Sequence, residues 1–207
     1  MEQDQLLAII REKAPKVPVT LYEATGLEDA MAYAVSVAEK KRHCEQLLPK
    51  PGEKLGEVSE NGFPTMLERY IAAPGISDDE FALLQKAAEG KDINLLRSGL
   101  RQHLGGFDVS ITWADALIAD TLTCIVNSNR EEVRIGTMIA EISLIFVRRS
   151  TILERLEDSA ELLLSLAKDG PSYTAYITGP SRTADIERVG ALGVHGPLEL
   201  HVVLLEG

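Results

Sequence analysis

The run Ile142 to Val147, ISLIFV, constrains the fold more than any other stretch of the chain. Ser143 is its single polar residue, and the rest is β-branched, aliphatic or aromatic with no polar alternation. A strand apolar on both faces has to be covered on both faces, which is the position of a central strand in a sheet with helices on either side. The neighbouring segments supply such helices. Arg130 to Ile139 has helical periodicity, and Leu156 to Lys168 is helical and rich in leucine. Asp169-Gly170-Pro171 ends the second helix. Tyr173 to Ile177 then has strand character until Gly179-Pro180 stops it, and Leu198 to Leu205 returns as an apolar strand.

Upstream the same rhythm holds from Tyr70 onward. Tyr70 to Ala73 is a brief apolar run before Pro74-Gly75, and Ser77-Asp78-Asp79-Glu80 is a capping box that opens a helix over Asp78 to Ala88. Ile93 to Leu96 is the next strand. Phe107 to Thr112 and Thr121 to Val126 follow, expected as an adjacent antiparallel pair joined through WADALIAD. Alternating strands and helices of this kind predict an α/β fold, a mostly parallel sheet flanked by helices. Residues 1–68 carry a different pattern. Gln5 to Lys13 reads as a short amphipathic helix ended by Pro15 and Pro18, an appendage. Leu27 to Leu48 reads as one long helix and Pro49 to Pro64 as a long loop. The expected division is therefore a helical region with a long loop at 1–68 and an α/β domain at 69–207, packed as one unit.

Charge excludes several functions. The formal net charge is -11, whereas nucleic acids and anionic membranes call for a basic face, so neither is an expected partner. After Leu100, Lys168 is the only lysine while arginines recur, and arginine suits fixed recognition of a small carboxylate or phosphate. Surface ion pairing is the alternative account of the same arginines. Cys44 and Cys124 stand apart with no metal-ligand spacing, so no metal, iron–sulfur cluster or other cofactor is expected on this chain. Cys124, inside an apolar run, reads as a small core residue. Apolar runs are broken by charges such as Glu141 short of bilayer length, which predicts no membrane span and a cytoplasmic location.

Candidate chemistry gathers in two places. After Gly179, the residues Ser181, Arg182, Thr183 and Asp185 crowd a turn before a short helical piece expected around Ala184 to Val189, where hydroxyls, a guanidinium and free N–H groups suit an anion. The expected place of this loop is beyond the carboxyl end of a sheet strand, where such folds bind ligands. His195 sits between Gly193 and Gly196, a setting for an acid or base. Upstream, Asp115 and Asp120 flank an apolar run and are candidate bases, with Thr121 and Thr123 as ligand-binding partners. Each has a plain structural reading too: Ser181 or Thr183 as a cap with Arg182 paired to Asp185, His195 as a hydrogen-bonded turn residue, and the aspartates as caps.

The run TGPSRTADIE, Thr178 to Glu187, with GVHGPLELHVVLL, Gly193 to Leu205, closely resembles the C-terminal signature of LUD-domain proteins of the lactate utilization protein C family. Gly106 to Val126 and Thr137 to Leu156 resemble the family segments upstream, so the resemblance covers roughly Tyr70 to Glu206. Trp113 stands where the family usually has Gly, Asp120 where it usually has Glu, and Leu122 where it has Gly before Thr123. The resemblance implies a fold similar to that of the NagB, RpiA and CoA-transferase proteins and of 5-formyltetrahydrofolate cyclo-ligases. It also implies a part in oxidising L-lactate to pyruvate beside partner subunits that bear iron–sulfur clusters. Lactate has one carboxylate and one hydroxyl, for which Arg182 with His195 or Asp115 would be the minimal pair. Two other functions fit the residues: a stand-alone CoA-transferase-like or cyclo-ligase-like enzyme, and a regulatory or adaptor module without catalysis.

Overall fold

The computed structural model describes residues 2–168, 170–180, 182–184, 190–192 and 196–206, with the backbone alone at 182–184 and 190–192. The chain opens with α1 (Gln3–Lys13), β1 (Val19–Glu23) and α2 (Leu27–Lys40), then a hairpin of β2 (Leu55–Val58) and β3 (Pro64–Met66). Next come β4 (Arg69–Ala72), α3 (Asp78–Ala87), β5 (Ile93–Leu96) and β6 (Phe107–Trp113). The middle of the chain gives β7 (Ala116–Ile118), β8 (Thr123–Asn127), α4 (Glu131–Ile139) and β9 (Ala140–Arg148). The last part holds β10 (Ile152–Leu153), α5 (Ala160–Leu166), β11 (Thr174–Thr178), β12 (Arg182–Ala184), β13 (Gly190–Leu192) and β14 (Glu199–Leu205).

Six strands form a sheet in the order β1-β14-β9-β6-β4-β5, parallel at every pairing, which bears out an α/β class with helices against the sheet. The ISLIFV run lies in β9, between β14 and β6. Strand alternation divides the core in two. Val203, Leu205, Leu144 and Phe146 face α2 and α3, whose Met31, Ala34, Val35 and Leu84 are buried there. Val202, Leu204, Ile145 and Val147 face the other way, onto Leu6, Leu7 and Ile10 of α1, Val133 of α4, and Leu117, Leu122, Cys124 and Val126. Leu117, Cys124 and Val126 belong to a second sheet, ordered β10-β7-β8-β11, and Leu122 to the turn between two of its strands, so this face is covered by helices and strands together.

Several expectations change in the folded chain. The first helix is no appendage, since Ile10 is fully buried and Leu6 and Leu7 nearly so. Val19 to Glu23 adds an unforeseen edge strand to the main sheet, in register from Val19 opposite Leu200 to Glu23 opposite Leu204. Helix α2 stops at Lys40 rather than Leu48. The next residue, Lys41, turns extended and its ammonium reaches Asp108 at 2.7 Å and Glu141 at 2.8 Å, two carboxylates at the amino ends of β6 and β9. The Pro49 to Pro64 stretch is not one loop but includes β2 and the start of β3. Phe107 to Thr112 and Thr121 to Val126 do not pair. The WADALIAD segment holds β7, and β7 pairs antiparallel with β8 in the second sheet while β6 stays in the first. The Leu156 helix begins as a short 3-10 turn and becomes α-helical only at Ala160.

Candidate functional site

β7 and β8 form a hairpin with Ile118 opposite Thr123, so Ala119, Asp120, Thr121 and Leu122 make its tip. Two backbone bonds tether the tip to the strand beyond, from Ala119 N to Leu153 O at 2.8 Å and from Asp120 N to Glu154 O at 3.1 Å. Leu122 closes the turn with φ +53, in the left-handed region that side chains rarely enter, and its side chain is fully buried in the core between the sheets. On the other side of β8, β11 runs antiparallel with Thr178 opposite Thr123. The tip and the end of β11 therefore meet.

At that meeting three hydroxyls form a chain. Thr121 Oγ1 lies 2.7 Å from Thr123 Oγ1, which lies 2.6 Å from Thr178 Oγ1. Three hydroxyl protons serve two links, so one proton is left to point outward. Thr123 in the middle is buried, whereas Thr121 and Thr178 are exposed, so the spare donor sits at an open end of the chain. Gly179 follows with φ +71, and a Cβ there would lie 2.8 Å from the Val17 carbonyl oxygen and 3.2 Å from Val17 Cγ1. Glycine is required at 179 both for the turn and for the close approach to the segment before β1. Asp120 accepts from Lys13 of α1 at 3.1 Å in an exposed pair, a contact weak enough to be exchanged for a ligand.

The predicted residues separate accordingly. Asp120, Thr121, Thr123 and Gly179 come together. Asp115 does not join them: it stands at the opposite end of β7, where its carboxylate accepts the Asn127 backbone N–H at 2.5 Å and its own N–H donates to Ile125 O at 2.8 Å. Arg182 and Thr183 lie in β12, which pairs with β13 as a two-stranded ribbon, Arg182 opposite Leu192 and Thr183 opposite Ala191. Ala184 is thus strand where helix was expected. Ser181, Asp185, His195 and the remainder of the expected helical piece lie outside the described residues, and Gly196 sits in a bend just before Pro197. β11 also departs from expectation, because it is an edge of the second sheet, so the loop after it does not follow a strand of the parallel sheet.

Two participants were not in the sequence-based set. Thr178 completes the hydroxyl chain; its signals were its place directly before Gly179 and at the head of the TGPSRTADIE run. Lys13 stands in the sequence only as the last residue of the short amphipathic helix. Cys124, beside Thr123, is fully buried and its thiol is pushed up to about 12 by burial, so it stays protonated and is no nucleophile near neutral pH. Among the described residues no group of three or more His, Cys, Asp or Glu side chains is placed to hold a metal ion, and no helix is long and apolar enough to cross a membrane.

At the far end of β6, Trp113 is packed on three sides. Its ring stands edge-on to Phe146 at 5.5 Å, the Arg148 guanidinium lies 4.1 Å over it, and its indole N–H donates to Glu80 at 3.0 Å.

Comparison with known proteins agrees with this architecture. The family profile described as LUD domain matches residues 7–205. The lactate utilization protein C of Anoxybacillus flavithermus is 31% identical over 208 residues, spanning 98% of this chain and 81% of that protein. The lactate utilization protein C of Bacillus velezensis is 30% identical over 98% of this chain and 79% of its own length. A crystal structure of a DUF162 family protein from Deinococcus radiodurans superposes with a TM-score of 0.60 at 17% identity, covering 99% of this chain and 98% of that one, a likeness of fold.

Proposed function

From the premise that this chain belongs to the LUD-domain family, we propose that it works as a lactate utilization protein C-like component of a system that oxidises L-lactate to pyruvate, beside partner subunits that carry the iron–sulfur clusters. The chain's own task in this reading is to hold a small carboxylate or phosphate at the Thr121, Thr123, Thr178 chain and Gly179, with Ser181, Arg182, Thr183, Asp185 and Gly196 as further ligands. The observation that carries it is the convergence of two sequence segments on one point. The hairpin tip and the end of β11, 55 residues apart, supply a hydroxyl chain with one outward donor next to a turn that only glycine fits. His195 is the candidate base, and Asp120, held only by an exposed lysine, is the second. A fold of the NagB, RpiA and CoA-transferase kind is part of the same proposal.

The test has two arms. Tagged protein purified from lactate-grown cells should bring down subunits bearing iron–sulfur clusters, and a deletion strain should fail to grow on L-lactate. Thermal-shift scanning with lactate, pyruvate, CoA esters, ATP and folates should single out a small carboxylate, since ligand at ~100 times its dissociation constant adds roughly 2.7 kcal/mol. Normal growth on lactate together with no such partner would refute the lactate reading, and a response to CoA esters or folates alone would move the chain to the stand-alone enzyme class. One observation favours an adaptor role without turnover: the carboxylate of Asp115, one of the candidate bases, is committed to the Asn127 backbone N–H. Binding of lactate without turnover by the assembled complex when Asp120 or His195 is intact would decide for it.

A further inference from the structure

A cavity of about 230 Å³ opens at the amino ends of β4 and β6, with Gln46, Lys50, Glu53, Met66, Tyr70 and His103 among its walls. Its size falls just below that of sites for drug-sized molecules, so it suits a small metabolite. Two opposite charges line it without neutralising each other. Lys50 and Glu53 are the ends of one turn, in which Glu53 N donates to Lys50 O at 3.1 Å and Lys50 N donates to Glu53 Oε2 at 2.8 Å. The Lys50 ammonium donates to the Gln102 carbonyl at 2.8 Å and, among the described residues, pairs with no carboxylate, which leaves two of its donors. The Glu53 carboxylate accepts the Lys50 N–H and, at 2.9 Å, the Gln46 amide, and these bonds hold it below the usual carboxylate range. Each oxygen keeps a lone pair.

The remaining walls fit the same shape of ligand. His103 is half-buried with its ring 5.0 Å from that of Tyr70, and among the described residues the ring makes no hydrogen bond. Burial and the nearby Lys50 charge pull its pKa below the ordinary histidine value, so at neutral pH it is uncharged, with one donor and one acceptor to offer. Met66 is buried and apolar. We propose that this cavity binds a small zwitterion of the α-amino-acid class, its carboxylate held by Lys50 and His103, its ammonium by Glu53, and its side chain laid against Met66 and the Tyr70 ring. None of these residues belongs to the hydroxyl chain, so the site stands or falls independently of the lactate reading.

Calorimetry and imidazole NMR on the full chain test this, with the common α-amino acids as ligands and acetate, methylamine and L-lactate as partial mimics. The His103 ring signal is assigned by its loss in His103→Gln. At least one amino acid should bind saturably and shift that signal, while each partial mimic binds about tenfold or more weaker. Lys50→Met and Glu53→Gln, both at exposed positions, should keep the far-UV spectrum and melting temperature and lose about tenfold or more in affinity. The proposal is overturned if no amino acid moves the His103 signal at millimolar concentration, if L-lactate binds as well as the best amino acid, or if Glu53→Gln leaves affinity unchanged.

Discussion

Leu122 sets two effects against each other, and their sizes decide the outcome of replacing it. Its φ of +53 is a left-handed conformation, which costs an L-residue with a side chain roughly 1–2 kcal/mol and glycine almost nothing. Glycine, the usual residue of the family at this place, would therefore relax the turn. The side chain, however, is fully buried among Leu117, Cys124 and the strands of the main sheet, and removing such a leucine costs about 2–5 kcal/mol through lost burial and the cavity left behind. Burial wins. Leu122→Gly should be less stable than the native chain by roughly 1–4 kcal/mol. Leu122→Ala loses the same packing but keeps the strained backbone, so it should be less stable still, by about 1 kcal/mol. Urea denaturation reads both as lower midpoints at unchanged m-value, and each kcal/mol corresponds to about 2–4 °C in melting temperature for a chain of this size. An alanine variant as stable as the glycine variant would show that no backbone strain resides at 122. A glycine variant more stable than native would show that the side chain is not packed.

Gly179→Ala should destabilise by at least about 1 kcal/mol more than Gly90→Ala, because both glycines have positive φ but only at 179 would the new Cβ meet backbone, 2.8 Å from Val17 O; equal losses in urea melts would remove the close approach from the argument. Lys41→Met leaves the fully buried Asp108 without its cation and should cost about 3–5 kcal/mol, most of it regained in Lys41→Met with Asp108→Asn. Burial pulls the Lys41 pKa down, but Asp108 and Glu141 more than offset this, so in the folded chain it lies above the ordinary lysine value. A raised lysine stabilises fully below its unfolded value of about 10.4 and loses that contribution as pH climbs through the folded one. The stability gap between native and Lys41→Met should thus be flat from neutral pH upward and shrink only beyond about pH 10.4, as read from urea melts across that range; a gap that shrinks at lower pH would contradict the pairing.

What could be read in advance was whatever local chemistry settles by itself. The two-faced ISLIFV run had to be central, and it lies between β14 and β6. The Ser77 box forms as its residue types require, with Glu80 N donating to Ser77 Oγ at 3.2 Å and Ser77 N to Glu80 Oε2 at 2.7 Å. Decisions made by distant partners were not legible. The end of α2 is set by Lys41 reaching Asp108, 67 residues on. β7 is three apolar residues with no alternation, too few to distinguish strand from helix, and only its pairing with β8 makes it a strand. Val19 to Glu23 follows directly on Pro18 with its pairing, Val19 opposite Leu200, supplied only by β14, and it extends the main sheet there.

The candidate site was half legible for a related reason. Thr121, Thr123 and Gly179 stood out by residue type, but Thr178 and Lys13 acquire a role only when β11 lies beside β8 and α1 packs against the hairpin tip. The same geometry changes the meaning of two departures from the family pattern. A tryptophan and a leucine in place of glycines suggest filled ligand space when read along the chain. In the fold, the Leu122 side chain points away from the hydroxyls into the core, so the glycine it replaces answers to the backbone dihedral. Trp113 is engaged with Phe146, Arg148 and Glu80 at the carboxyl end of β6, two residues before Asp115 and at the other end of β7 from Thr121. Neither side chain hydrogen-bonds to the hydroxyl chain, whose members are Thr121, Thr123 and Thr178. If a small anion binds there, restoring glycine at 113 should change stability and leave anion affinity alone, whereas Thr123→Val, which cuts the chain at its middle hydroxyl, should weaken binding by roughly 1.5–3 kcal/mol, the worth of one charge-assisted hydrogen bond.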